Sequence, residues 1–234
     1  MKSLHKTFDI LEYILLQNGK HVTPSEAAES LGINLATCTR IMGELVQRGY
    51  LEKVSRKSGY IAGPMTAALN TRDHLYKKLA EAAEEPIRNL SEKLNCQVNL
   101  SVLHQNHRIM LTFHLPGFPA VPWNTFRFSD HLDTATGRLL LASLEDSAAR
   151  KVCASCGIKP YPKEELQQIR KDGFVQFDFD SLSIIGCLIY ASGYPTAAFG
   201  FGVPPEKAGI AFEFALAAAA EIRKKLTVSA CQAY

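Results

Sequence analysis

The stretch from Thr23 to Gly63 constrains this chain more than any other. Thr23-Pro24-Ser25-Glu26 predicts a helix start. Thr23 can cap free N–H groups, Pro24 needs no N–H at a first helical position, and Glu26 completes a capping box. A short helix follows through Ala27, Ala28 and Leu31. Gly32-Ile33-Asn34 makes a turn, with Gly32 free to adopt the left-handed conformation. Asn34 can cap a second helix from Leu35 to about Arg48, which Gly49 ends. Tyr50 to Val54 alternates like a strand, Ser55-Arg56-Lys57-Ser58-Gly59 is a polar basic turn, and Tyr60 to Gly63 returns as a second strand. Helix, tight turn, helix and hairpin together spell a winged helix-turn-helix.

On a helical wheel, Leu35, Cys38, Ile41, Met42, Leu45 and Val46 form the buried stripe of the second helix. Ala36, Arg40, Gly43 and Gln47 lie opposite, flanked by Thr37 and Glu44. A face so small and polar can enter the major groove of double-stranded DNA. Arg40 can fork onto a guanine edge or hold a phosphate. Arg56 and Lys57, at the hairpin tip, suit phosphate contacts that add affinity without reading sequence. With Ser25, Asn34, Ala36, Thr37, Thr39 and Glu44 they make the candidate DNA-binding set. The competing reading is a solvated helix in an ordinary three-helix bundle, with a basic turn serving solubility.

The 234 residues suit two small domains or one large one. The sequence shows no apolar run long enough to span a bilayer and no signal peptide, so no membrane partner and a cytoplasmic location are expected. Net charge is only +3, and Met1–His74 carries nine Lys and Arg against seven Asp and Glu. That is a weaker basic footprint than many nucleic-acid binders have, and it pulls against DNA binding. Cys38 sits on a buried stripe and reads as a small hydrophobe. Cys153 and Cys156 form a CxxC, but no second pair completes a zinc site and no strand-to-helix setting suggests a redox motif. There is no Gly-x-Ser-x-Gly, no phosphate-binding glycine loop and no two-histidine zinc motif. His104, His107, His114 and His131 are scattered. No catalytic residue, metal or cofactor is therefore expected.

Ser3 to Leu16 reads as a helix with Leu4, Phe8, Leu11, Ile14 and Leu15 along one face. Met65 to Glu85 is helix-forming, and Pro86 either kinks it or starts the next helix. It reads as a connector, giving boundaries of 1–64 for the winged unit, 65–86 for the linker helix and 87–234 for the second domain. There, Ile87–Leu94 reads as helix. Cys96–Leu103 and Arg108–Phe113 pair as a hairpin, and Trp123–Phe128 is a candidate strand. Helices are expected at Thr134–Ser143, Asp146–Cys153 and Lys163–Lys171. Ser183–Tyr190 and Thr196–Val203 form a second hairpin, and a long alanine-rich helix runs from Pro205 to about Leu226. Hairpins flanked by helices predict an α+β domain with an antiparallel sheet.

Ser3–Leu11, Ala36–Met42, Leu45–Leu51 and Gly59–Pro64, in this order and spacing, resemble the DNA-binding half of the IclR family of bacterial transcription regulators. His131–Ala142 is similar to a segment that usually holds Thr-Ala, Gly-Lys and Leu-Ala in succession, and Pro195–Val203 resembles the family's last strand. Arg138 stands where lysine is usual, and Ile185-Gly186-Cys187 replaces two small residues and a proline. The resemblance implies an N-terminal winged helix-turn-helix joined by a helix to a GAF-like effector domain. It implies a homodimer or tetramer on a duplex DNA operator, a small organic-acid effector, and a regulator rather than an enzyme.

Thr134-Ala135-Thr136-Gly137 is small, hydroxylated and at a helix start, where free N–H groups and the dipole favour an anion. The structural alternative is that Thr134 merely caps its helix and Gly137 packs closely. The resemblance places effectors beside this segment and on the strand holding Cys187. It also sets an acidic pocket residue in the region of Asp178 and Asp180; ordinary core for Cys187 and plain loop for the two aspartates are the alternatives. Asn99 and Ser101 on one strand face, Gly200 and Gly202 on the last strand, and the aromatics Trp123 and Phe128 complete the candidate effector set. A thiol enzyme or redox sensor working through Cys153, Cys156 or Cys187 is the alternative, with Arg150 and Lys151 as the only nearby cations.

Overall fold

The computed structural model describes residues 2–17, 19–55, 58–70, 74–116 and 126–231, with side chains at 2, 70 and 228–231 left aside. Contacts divide the chain after Asp73 into two compact units.

The first unit comprises α1 (Lys2–Leu15), α2 (Pro24–Leu31), α3 (Leu35–Gln47), β1 (Leu51–Ser55), β2 (Gly59–Ala62) and α4 (Pro64–Asn70). The capping signals act as expected. The Glu26 carboxylate accepts from the Thr23 N–H at 2.6 Å, and the Glu26 N–H donates to the Thr23 hydroxyl at 3.2 Å. The Thr23 N–H and, at 2.7 Å, the Thr23 hydroxyl both donate to the Glu26 carboxylate and hold it below its ordinary pKa. Gly32 is left-handed at φ 62°. β1 and β2 pair antiparallel as the wing, and Val22 bridges to Tyr60. At Gly59 an added Cβ would lie 2.4 Å from the Val22 carbonyl oxygen, so only glycine allows that approach. The core gathers Ile10, Ile14, Cys38, Ile41, Met42, Leu45 and Leu51.

Two apolar assignments are corrected. On α1 the buried line is Ile10 and Ile14, while Leu4 is 61% and Phe8 50% exposed. Leu4 and Phe8 belong to a second stripe that the first unit leaves uncovered. Leu35 is 49% exposed rather than buried, because it sits in the first turn of α3 at the margin of the stripe.

The connector is not one helix. After α4, α5 (Leu75–Leu94) runs straight through Pro86, and its Leu79, Ala83, Ile87, Leu90 and Leu94 enter the core of the second unit. The i, i+4 spacing of those residues continues across Pro86, so burial outweighs the backbone bond that proline forgoes.

In the second unit, β3 (Val98–His104) and β4 (His107–His114) form a hairpin, followed by β5 (Arg127–Phe128), α6 (Ala135–Ala142), α7 (Asp146–Ser155) and α8 (Lys163–Asp172). Then come β6 (Phe174–Phe179), β7 (Leu182–Ile189), β8 (Ala197–Val203), a 3-10 turn at Pro205–Lys207 and α9 (Ala208–Cys231). The sheet order is β5-β4-β3-β8-β7-β6, with every pairing antiparallel. α5 and α9 cover one face; α6, with α7 and α8 beyond it, covers the other. Two details differ from expectation. The strand expected over Trp123–Phe128 is seen only at Arg127–Phe128, and 117–125 lie outside the described residues. β6, in a stretch to which the sequence assigns no element, begins where left-handed Gly173 ends α8, and it pairs only with β7 at the sheet edge.

A candidate DNA-contact helix and a candidate effector cavity

α3 is built to stand on its own core while leaving one side bare. Its cap is internal: the Asn34 side-chain oxygen accepts from the N–H groups of Ala36 at 3.0 Å and Thr37 at 3.4 Å. Cys38, Ile41, Met42 and Leu45 are buried, and burial raises the Cys38 thiol pKa. Ala36, Thr39, Arg40 and Glu44 are exposed, as are Asn34 and Ser25, whereas Thr37 is half-buried. Arg40 has no ion pair among the described residues. Two expected contacts are already engaged within the protein. The Asn34 oxygen caps the helix, and the Thr39 hydroxyl donates to the Leu35 carbonyl at 2.9 Å. Arg56 and Lys57 lie outside the described residues.

The second candidate site is a cavity of about 230 Å³ where the start of α6 meets β3, β8 and β7. The structure brings together Asn99, Thr134, Ala135, Thr136, Gly200 and Gly202 from the expected set, and adds Gln97, Asp133, Ile184 and Phe201. Strand alternation explains the grouping. Asn99 lies opposite Gly200, and its side-chain N–H donates to the Gly200 carbonyl at 3.3 Å. The glycines let the helix approach: a Cβ at Gly200 would lie 3.1 Å from Ala135 Cβ. Thr134 caps α6 by accepting from the Gly137 N–H at 3.2 Å, and its hydroxyl donates to the Asp130 carbonyl at 3.3 Å. The N–H groups of Ala135 and Thr136 precede any internal helical acceptor and open toward the cavity's end of the helix.

Behind the wall lies a polar relay. Ser101 donates to the Asn99 side-chain oxygen at 3.4 Å and accepts from Arg108 Nη1 at 3.1 Å. Arg108, only 5% exposed, donates Nη2 to both Asp130 carboxylate oxygens, at 2.9 and 2.7 Å, and stacks 4.5 Å above the Phe128 ring. Ser101 and Phe128 thus support the cavity instead of lining it. Neither arginine nor lysine lines the cavity.

Four further expectations are corrected. Gly137 is a close-packing residue: an added Cβ would lie 2.5 Å from the His131 carbonyl oxygen. Cys187 belongs to the opposite face of the sheet, in the core under α5 and α9, where burial pushes its thiol up to about 11. Asp178 sits on edge strand β6 and accepts from the Ser183 hydroxyl. Asp180 is exposed in the β6–β7 turn at φ 53°. The acidic residue at the cavity is Asp133, which directly precedes the helix cap Thr134. Trp123 lies outside the described residues.

Burial also raises the Cys153 thiol, and no group of three or more potential metal ligands occurs among the described residues. No helix among them is long and apolar enough to cross a membrane.

Residues 3–55 match the family model of the IclR helix-turn-helix domain. The chain is 24% identical over 204 residues to the transcriptional repressor IclR of Escherichia coli K12, covering 80% of this chain and 73% of that one. Its fold is similar to an IclR homolog of Microbacterium hydrocarbonoxydans solved with 4-hydroxybenzoate, at a TM-score of 0.73 and 19% identity over 97% of this chain and 99% of that one. An IclR-type regulator from Alicyclobacillus acidocaldarius gives a TM-score of 0.70 at 20% identity, covering 97% and 98% of the two chains.

Proposed function

We propose that this chain, a member of the IclR family of transcriptional regulators, is switched on its DNA operator by a small organic acid held in the α6 cavity. The observation that carries the effector reading is the cavity itself. It joins a capped helix N-terminus, the side chains of Gln97, Asn99, Thr134 and Thr136, and a bared glycine strand. Neutral donors and a helix dipole hold a carboxylate without a formal cation. The similarly folded relative solved with 4-hydroxybenzoate supports an acid as ligand. The working role is binding and not catalysis, in the cytoplasm.

A homodimer or tetramer follows from the needs of operator recognition, since one recognition helix reads too few base pairs for useful specificity. The exposed Leu4 and Phe8 of α1 offer apolar surface for it. Light scattering on the full chain checks this; a monomer at micromolar concentration, with and without duplex, excludes it. The connection between units, proposed as 65–86 in a 1–64, 65–86, 87–234 organisation, carries the coupling. Whatever free energy the acid contributes to operator binding, the operator returns to acid binding.

The test is a thermal-shift and calorimetric series, 4-hydroxybenzoate first and phenol as the control lacking a carboxylate. A ligand present at about 100 times its Kd raises stability by roughly 2.7 kcal/mol. Gly202→Val, which pushes only on the Ile184 and Leu182 side chains, is expected to remove the response while preserving the fold. If no small carboxylate stabilises the protein, or the Gly202 variant responds like the parent, the cavity is not the effector site.

A further inference from the structure

The outward side of α3 is divided lengthwise. At 100° per residue, Leu35, Thr39 and Gly43 fall on one flank with Ala36 beside them, and Thr37, Arg40 and Glu44 fall on the other. The first flank is apolar by construction. Leu35 is 49% exposed, in the first turn of α3 at the margin of the buried stripe. The Thr39 hydroxyl donates back to the Leu35 carbonyl at 2.9 Å, which spends its donor and leaves its methyl as the outward group. Gly43 adds a second, independent observation. It sits mid-helix, where glycine weakens a helix, and an added Cβ there meets nothing within 4 Å. Neither turn geometry nor internal packing requires glycine at 43. What a missing side chain permits is the approach of something from outside.

We infer that the Leu35–Ala36–Thr39 flank of α3 reads thymine 5-methyl groups, so that the operator half-site carries A·T pairs facing this flank and that Gly43 lets the helix sit deep enough to reach them. The thymine methyl is the one apolar group that base pairs present in the major groove, and alanine and threonine methyls are suited to it. Arg40, on the other flank, then meets the neighbouring bases or the phosphates. The inference rests on α3 being the recognition helix, and deepens it by naming the base class.

The experiment selects tight-binding duplexes with the full-length protein from a pool with a randomised central segment, then replaces each selected thymine singly by deoxyuridine. That change removes one methyl and keeps every hydrogen bond. The expected result is a loss of about three- to fivefold in affinity per methyl at one or two positions, the worth of one buried methylene group. In the Leu35→Ala protein the same replacement has little effect. Deoxyuridine substitution without effect, or with equal effect in Leu35→Ala, overturns the methyl reading while leaving DNA binding in place. A protein that selects no duplex overturns the recognition-helix reading and this one with it. Gly43→Leu keeps or raises the thermal midpoint and loses at least tenfold in affinity for the selected duplex; undiminished affinity overturns the close approach.

Discussion

Gly43 on α3 and Gly137 on α6 are both helical glycines with ordinary negative φ, in helices that both begin with a side-chain cap. The sequence presents them alike. In the structure one faces open space, whereas the other is pressed against the His131 backbone. The contrast extends along each helix. α3 buries four residues and leaves its opposite side exposed, while α6 buries Ala135, Thr136 and Gly137 in its first turn and Leu139 to Ala142 after that. A residue that faces open space can be changed without unfolding the domain, and one pressed against backbone cannot.

The largest expected effect is therefore at Gly137. Gly137→Leu puts its side chain where backbone already stands, and overpacking of this kind costs about 1–3 kcal/mol or more. Urea unfolding is expected to show a loss at the upper end of that range, against a gain of about 0.5–1 kcal/mol for Gly43→Leu, which removes a helix-weakening glycine from open space. Equal losses for the two variants would break the comparison. For the same reason a change at Gly137, or a bulky one at Ala135, is a poor probe of ligand response, and Gly202 is the better one.

Next in size is Arg108→Leu. It strands the Asp130 carboxylate and removes the stacking on Phe128. Breaking a fully buried pair costs about 3–5 kcal/mol. Asp130 retains about a third of its side-chain exposure, so hydration reduces the expected loss to about 2–3 kcal/mol. Denaturant titration of the variant checks it, and the double variant with Asp130→Asn recovers part of the loss if the pair is the cause.

Arg40→Ala sharpens the comparison from the other side. It is expected to cost about 1–3 kcal/mol of binding to a selected duplex if Arg40 forks onto a base, with unfolding midpoints unchanged. A selected sequence bound equally well by both proteins would remove Arg40 from the interface.

These differences also explain what was legible in the sequence. Capping residues and turn glycines act within four residues of themselves, so Thr23, Glu26, Gly32, Asn34 and Thr134 were placed from sequence alone. Strand alternation located the two hairpins but not which face each strand turns to which helix. For Cys187 the family resemblance leaves a cavity wall or ordinary core open, and the register that pairs it with Phe199 puts it in the core. Asp133 and Gln97 were missed because their place depends on α6 lying across β3 and β8, a long-range arrangement with no local signature. Leu35 was assigned to the buried stripe because periodicity ignores that a first turn has nothing packed over it. Pro86 looked like a boundary because the local penalty was visible and the apolar line spanning it was divided between two assumed elements.

The smallest effect belongs to the capping box of α2, and it tests whether the exposed unit responds to pH through local bonds alone. The Glu26 pKa is lowered, first by the Thr23 N–H and then by its hydroxyl. A carboxylate depressed in the folded state contributes stability that is present above its unfolded value, 4.5, and is lost as pH falls through the folded value. The first unit should therefore weaken on acidification below that range, and Glu26→Gln should flatten this part of the curve. Glutamine can still accept from the Thr23 N–H, so the variant keeps α2 and loses only the charge. The effect is small because Glu26 is exposed and water screens it. Thermal midpoints of parent and variant, measured at neutral pH and in steps downward, decide the point. Parallel curves would mean that the acid response of this unit lies in groups other than its helix cap.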